Sequence, residues 1–275
     1  MSNPSESPSY RIAFEDVEFL GRPEVRSYRL ALEYVKPQVI QNDMHVNSTI
    51  VVFGSARIPS PERSQAALAE AEAGLAAQPG DAGAGAALER ARQMAVLVPY
   101  YQEARKFAAM AERYQTPGEP YDFVVTTGGG PGIMEAANRG AAEAGLKTMA
   151  LNIVIEHEQE PNPYVTPELC FNFQYFAIRK MHFMLRARAL AAFPGGYGTM
   201  DELFEALTLI QTGKMPAIPI VLFGREWWER FMRIDSLVEA GTIGVDDPEL
   251  FSCVDTAAEG WAAIDAFYAA RSDSR

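Results

Sequence analysis

The sequence predicts a doubly wound α/β fold: a parallel sheet with helices on both faces. Three observations predict it. Apolar runs of strand length alternate with helix-length segments from residue 49 to residue 270. Most of those runs are apolar at successive positions, as in strands covered on both faces, and not at every second one. Three of them end in turns of small residues, and two of those turns lead straight into a helix, the arrangement that places ligands at the carboxyl ends of strands.

The elements follow in order. Residues 1–22 form a loose, acidic lead. Residues 23–41 have helical spacing, with Val25, Tyr28, Leu32 and Val35 three and four residues apart, and Pro37 is expected to end or kink that helix. The β-branched run at 49–53 is a buried strand that stops at Gly54-Ser55. An Ala/Glu-rich stretch, 61–114, is broken by the Pro/Gly/Asp cluster at 78–85 into two helices, read as a surface insertion or an oligomer contact without chemistry. Strands follow at 122–127, 148–155, 190–193 and 218–223. Helices are expected at 133–144, 175–186, 200–212, 226–239 and 257–270. With no repeat or strong linker, the chain divides into an N-terminal extension with a helix (1–47) and one domain (48–275) carrying an insertion at about 60–113.

Composition narrows the function. The 275 residues include 24 basic and 36 acidic side chains, a formal net charge of −12, and 48% are hydrophobic. This suits a folded protein with one sizeable core. It argues against a nucleic-acid polymer as partner, which would need a basic footprint. It leaves room for a small anion in a locally positive site. Cys170 and Cys253 form no disulfide or zinc pattern, and no signal peptide or membrane span is evident, so a cytoplasmic protein is expected. His45, His157 and His182 lack metal-ligand spacing, and no metal is expected.

The chemistry concentrates in the small-residue turns: Gly54-Ser55-Ala56-Arg57, Gly128-Gly129-Gly130-Pro131-Gly132 and Pro194-Gly195-Gly196-Tyr197-Gly198-Thr199. Backbone without Cβ atoms can approach an anion closely. Helix N-termini then supply free N–H groups and partial positive charge, so the last two turns make a phosphate cradle. The common nucleotide fingerprints do not fit. Ile133 stands where a dinucleotide motif needs its third glycine, and Gly213-Lys214 precedes Met215 where a P-loop needs Ser or Thr. Locally the charge reverses. Residues 169–199 contain Arg179, Lys180, Arg186 and Arg188 and no acid, so with −12 overall and +4 there, the rest carries −16. Arg186 and Arg188 also suit a solvated helix face. Glu202, in the first turn of a helix, suits either a cap or a carboxylate aimed over the phosphate turn, able to stabilise a cationic sugar or to activate water. Thr199 suits either a phosphate contact or a cap.

Residues 194–202, PGGYGTMDE, match the PGGxGTxxE motif of the LOG family (Lonely Guy, cytokinin riboside 5′-monophosphate phosphoribohydrolases), whose members are often labelled lysine decarboxylases. Residues 128–137 resemble its second glycine motif. Arg179-Lys180 matches the Arg-Lys pair of its MHxRK segment, although Phe176-Ala177-Ile178 replaces the Met-His part. The resemblance spans about 48–270. It implies a Rossmann-like fold and hydrolysis of the N-glycosidic bond of an adenosine 5′-monophosphate, AMP or an N6-substituted form, to free base and ribose 5-phosphate, without a cofactor. By the same resemblance Arg179 and Glu202 are the catalytic pair, and Gly129, Gly130, Gly132, Gly196, Gly198 and Thr199 hold the phosphate. Glu135 would line the pocket and Lys180 would lie beside the catalytic Arg, with Gly54, Ser55 and Gly195 completing the binding set. A homodimer or larger homo-oligomer is implied. Phe171, Phe173, Tyr175 and Met181 are expected as pocket walls, or as core. A pyridoxal decarboxylase built on Lys180 or Lys214 would leave the glycine turns and Glu202 unexplained. The standing alternative is a non-enzymatic nucleotide or molybdenum-cofactor carrier on the same scaffold.

Overall fold

A computed structural model describes residues 3–155 and 160–272 of the chain. Seven strands form one parallel sheet: β1 (Thr49–Phe53), β2 (Val124–Thr127), β3 (Thr148–Ile153), β4 (Cys170–Phe173), β5 (Ala187–Ala192), β6 (Ile220–Phe223) and β7 (Ser252–Val254). Their order is β4-β3-β2-β1-β5-β6-β7. The chain winds outward from β1 to β4, returns to the centre at β5, and winds outward again to β7. The reversal between β1 and β5 opens a crevice at the carboxyl ends of these two strands.

Eleven α-helices are described: α1 (Val17–Gly21), α2 (Arg26–Asp43), α3 (Pro61–Ala77), α4 (Ala82–Ala95), α5 (Val98–Ala109), α6 (Ile133–Glu143), α7 (Phe176–Leu185), α8 (Tyr197–Gln211), α9 (Arg225–Phe231), α10 (Ile234–Glu239) and α11 (Ala257–Ser272). They explain why the central strands are apolar throughout. In β1, Ile50 and Val52 pack with Tyr101 and Phe107 of α5, Ile133 of α6 and Trp261 of α11. Val51 and Phe53 point the other way, toward Phe183 of α7 and Leu203 of α8. Successive side chains alternate faces, and both faces are covered.

Four sequence expectations are corrected. The stretch at 61–114 holds three α-helices, not two, and only α3 and α4 form the projecting hairpin. α5 is the crossover from β1 to β2, with Tyr101, Ala104, Phe107 and Ala108 buried and the Phe107 ring stacked on Trp261 at 5.0 Å. Its alanines are core contacts, because only small side chains let α5 lie close to α6, whose Gly140 sits directly against the Arg105 backbone. α2 runs through Pro37 to Asp43, and the Arg186 guanidinium braces the far turn by donating to Gln38 Oε1 (3.2 Å) and Asn42 Oδ1 (2.6 Å). The apolar stripe of α2 is exposed at Tyr28, Leu32, Val35 and Val39. The expected helix at 226–239 is two helices, α9 and α10, and the short strands β4 and β7 at the sheet edges had no sequence expectation. Of the histidines, His182 is buried between the rings of Tyr34 and Phe173 and burial pushes its pKa down, whereas His157 lies outside the described residues. Among the described residues no helix is long and apolar enough to cross a membrane.

Because α5 is core, Phe107→Ala is expected to cost about 3–5 kcal/mol in denaturant unfolding. A loss below about 1 kcal/mol would show that α5 is dispensable.

Candidate active site

A cavity of about 730 Å³ occupies the crevice at the strand reversal. Its floor is the first turn, Gly54 to Arg57, and the third turn, Pro194 to Thr199. These two turns are tied together: the Ser55 N–H donates to the Pro194 carbonyl at 3.0 Å, and Ile133 N–H donates to the Ser55 carbonyl at 3.1 Å. α8 begins at the third turn with Gly196 as its N-cap, and no side chain caps it. Its first amides therefore keep hydrogen-bonding capacity, and the helix dipole adds partial positive charge there.

One turn further along α8, Glu202 is 4% exposed. One carboxylate oxygen, Oε1, lies 3.8 Å from Arg179 Nη1, and Oε2 has no hydrogen-bond partner. Burial pushes the Glu202 pKa up to about 7, while Arg179 and then Lys180 pull it back. Arg179 is itself largely buried. Its Nε donates to the Leu151 carbonyl at 2.7 Å, and its guanidinium lies 4.9 Å from the centre of the Phe183 ring. Burial lowers its pKa, and Glu202 opposes that shift. A Cβ at Gly128 would sit 2.7 Å from Arg179 Nη2 and 2.9 Å from the Met134 sulfur, so glycine is what lets the guanidinium lie against this backbone.

The structure gathers Arg179, Glu202, Gly54, Ser55, Gly195, Gly196, Gly198 and Thr199 around this one cavity. Thr199 is buried against Gly195 and caps nothing. The remaining candidates lie elsewhere. In the second turn only Gly128 lines the cavity. The Gly129 carbonyl accepts from the Asn162 backbone (2.8 Å) and side chain (3.1 Å), the Gly130 carbonyl accepts from Asn162 Nδ2 (3.1 Å), and the Gly129 N–H donates to Thr127 Oγ1 (3.0 Å). Gly132 has a φ of 71° and presses on the Ser55 and Ala56 backbone. The turn is thus a clamp between strands, held by Asn162. Glu135 faces away from the cavity, accepting from the Tyr101 hydroxyl at 3.1 Å and pairing with Arg63 at 3.1 Å, and Met134 takes the lining position.

Lys180 sits outside the cavity, bridging Asp201 (2.9 Å) and Glu205 (2.8 Å) of α8. Arg186 braces α2 and Arg188 lies over the Tyr268 ring, so Arg179 is the member of the +4 segment that reaches the cavity. Phe171 and Phe173 are core, Tyr175 accepts from Arg29, and Met181 is exposed. The cavity's apolar wall is instead Met94, Leu97, Phe176, Trp227 and Phe231. The one sequence signal for it was the Trp227-Trp228 pair immediately after the β6 run.

Residues 134–264, which carry Arg179, the third turn and Glu202, match the model of a LOG-type family described as possible lysine decarboxylase. Over these residues the chain is similar to that family. No curated protein matches the chain. Among solved structures the chain is similar to the structural-genomics target TM1055, at 16% identity and a TM-score of 0.46, covering 80% of this chain and 99% of that one. It is also similar to a molybdenum cofactor binding protein from the phototrophic bacterium Rippkaea orientalis, at 16% identity and a TM-score of 0.42, covering 62% of this chain and 88% of that one. The matched LOG-type segment excludes β1, its turn and Gly128, so this cavity combines residues from inside and outside that segment.

The elevated pKa of Glu202 has a stability consequence. The carboxyl is protonated more readily when folded than at its ordinary value of 4.5, so folded stability falls as pH rises from about 4.5 to about 7 and stays lowered above. Glu202→Gln removes this effect. Between pH 5 and pH 8 the stability of the variant relative to the wild type is expected to rise by about 1–3 kcal/mol. A pH-independent difference would place the Glu202 pKa near its ordinary value.

Proposed function

We propose that the cavity is the active site of a nucleoside 5′-monophosphate phosphoribohydrolase acting on AMP, an N6-substituted AMP, or both. One observation carries this reading. A buried carboxyl with one free oxygen and a pKa near neutrality stands beside a buried guanidinium and an uncapped helix N-terminus. The α8 amides would bind the phosphate. Cleavage of the bond between C1′ and the purine nitrogen builds positive charge on the sugar, which ionised Glu202 stabilises. Glu202 Oε2 is free to accept a proton from the water that adds to C1′. The bonding pair leaves with the base, Arg179 offsets the negative charge developing there, and the base takes up a proton. AMP and water thereby become adenine and ribose 5-phosphate, and the chemistry requires no cofactor.

The test is incubation with AMP and with N6-isopentenyl AMP, followed by chromatography for the free base. Base release is expected, rising with pH to a plateau above about 7 as Glu202 ionises. Glu202→Ala is expected to lower it by roughly 10²-fold or more while AMP binding remains measurable. Tight AMP binding with no base released from either nucleotide would favour a carrier.

The proposal includes a homodimer. The exposed stripe Tyr28, Leu32, Val35 and Val39 lies along one face of α2, and a second copy is its proposed cover. Leu32→Glu is expected to shift the mass measured by light scattering from two chains to one. A wild type that elutes as a monomer would overturn this part.

A further inference from the structure

The cavity is asymmetric. Arg179, Glu202 and the uncapped start of α8 make one side charged and polar. Met94, Leu97, Trp227 and Phe231 make the other side apolar. Trp227 and Phe231 are neighbours on one face of α9, with rings 5.2 Å apart and 18° from parallel. Phe231 is 52% exposed. This shelf is rigidly mounted: the adjoining Trp228 is buried and its Nε1 donates to the Phe223 carbonyl at 3.0 Å. Met94 and Leu97 come from the end of α4 and the link to α5. Tyr100, in the first turn of α5, lies against Gly224, the N-cap of α9, where a Cβ would meet its ring at 2.6 Å. The helical segment between β1 and β2 and the helix after β6 are thus joined beside the cavity.

We infer that this wall is the nucleobase subsite, with the Trp227–Phe231 shelf stacking the base and Met94 and Leu97 setting how large a substituent the base can carry. The inference rests on the reading of the cavity as a nucleotide site. A nucleotide has the same asymmetry as the cavity, an anionic sugar phosphate at one end and a flat, largely apolar ring system at the other. A half-buried indole that lines the cavity and stacks on an exposed phenyl ring offers a planar surface for such a ring system. Stacking of a base on an aromatic side chain contributes enough to be read as a roughly tenfold or larger change in affinity. A cavity of this size accommodates a ligand of nucleotide dimensions.

The test is calorimetric titration with two probes, AMP and ribose 5-phosphate, of Glu202→Ala, in which turnover is suppressed, and of Trp227→Ala and Trp227→Phe made in that background. Trp227→Ala is expected to weaken AMP at least tenfold and to leave ribose 5-phosphate within twofold. Trp227→Phe, which keeps an aromatic ring, is expected to restore most of the AMP affinity. Equal weakening of both probes, or of neither, overturns the inference. Met94→Ala with Leu97→Ala is expected to change the ratio of kcat/KM for N6-isopentenyl AMP over AMP at least threefold, and an unchanged ratio removes these two residues from the subsite. The outcomes separate the two proposals. A wild type that binds AMP well above ribose 5-phosphate but releases no base keeps the subsite and loses the hydrolase. A wild type that releases base and is indifferent to Trp227→Ala keeps the hydrolase and loses the subsite.

Discussion

The contact between Glu202 and Arg179 is the constraint to which the rest of the crevice is fitted. Two charged groups removed from water are costly, and their attraction offsets that cost only when geometry and further hydrogen bonds cooperate. Here they cooperate incompletely. Arg179 has the Leu151 carbonyl and the Phe183 ring, but the carboxylate has a 3.8 Å partner on one oxygen and none on the other. Glu202 is therefore left with a pKa near neutrality. A fully paired carboxylate would be a better structural element and a poorer proton acceptor.

Much of the surrounding sequence serves to hold that pair. Gly128 gives the guanidinium room. Asn162 fixes the turn that carries Gly128 by bonding the next two carbonyls, and its Nδ2 also donates to Asn138 Oδ1 at 2.9 Å. Asn138 Oδ1 in turn accepts from Thr127 at the end of β2 at 2.7 Å. Every member of this network is buried. A satisfied polar network in a low-dielectric core resists rearrangement, because breaking any bond strands a buried group. Lys180 acts from outside, closing α7 onto α8 through Asp201 and Glu205 and so fixing the spacing between the helices that bear Arg179 and Glu202.

The fold was legible because its central strands report burial on both faces by composition alone. β4 and β7 were not, since Cys-Phe-Asn-Phe and Ser-Cys-Val are short and only partly apolar. The core role of α5 was hidden for a different reason. An alanine at a close helix crossing and an alanine on a solvated surface look alike in sequence, and only the partner helix distinguishes them. In the site, the third turn and its glutamate were legible because neighbours in sequence share one helix turn. Glu135 was misplaced although it immediately follows a lining residue, since one residue along a helix is a rotation of about 100°. The apolar wall was least legible, because Met94 and Trp227 lie far apart in the chain and come together across a fold contact, where Tyr100 packs on Gly224.

The net charge of −12 then becomes a statement about where attraction for an anion can come from. The +4 segment that compensates it in sequence is largely spent in the fold: Lys180 on two carboxylates, Arg186 on the carbonyls and amides of α2, Arg188 over Tyr268. One cation of that segment, Arg179, reaches the cavity, and its charge is partly offset by Glu202. Under the proposed nucleotide reading, long-range steering of a phosphate would accordingly be weak, and binding would depend on short-range contacts with oriented backbone amides at the start of α8. Such contacts act over a few ångströms and are little screened by salt when shielded from water. Arg57 also lines the cavity and, among the described residues, forms no ion pair; under the proposed reading it would, together with these amides, favour a ligand carrying one compact anionic group over a polyanion.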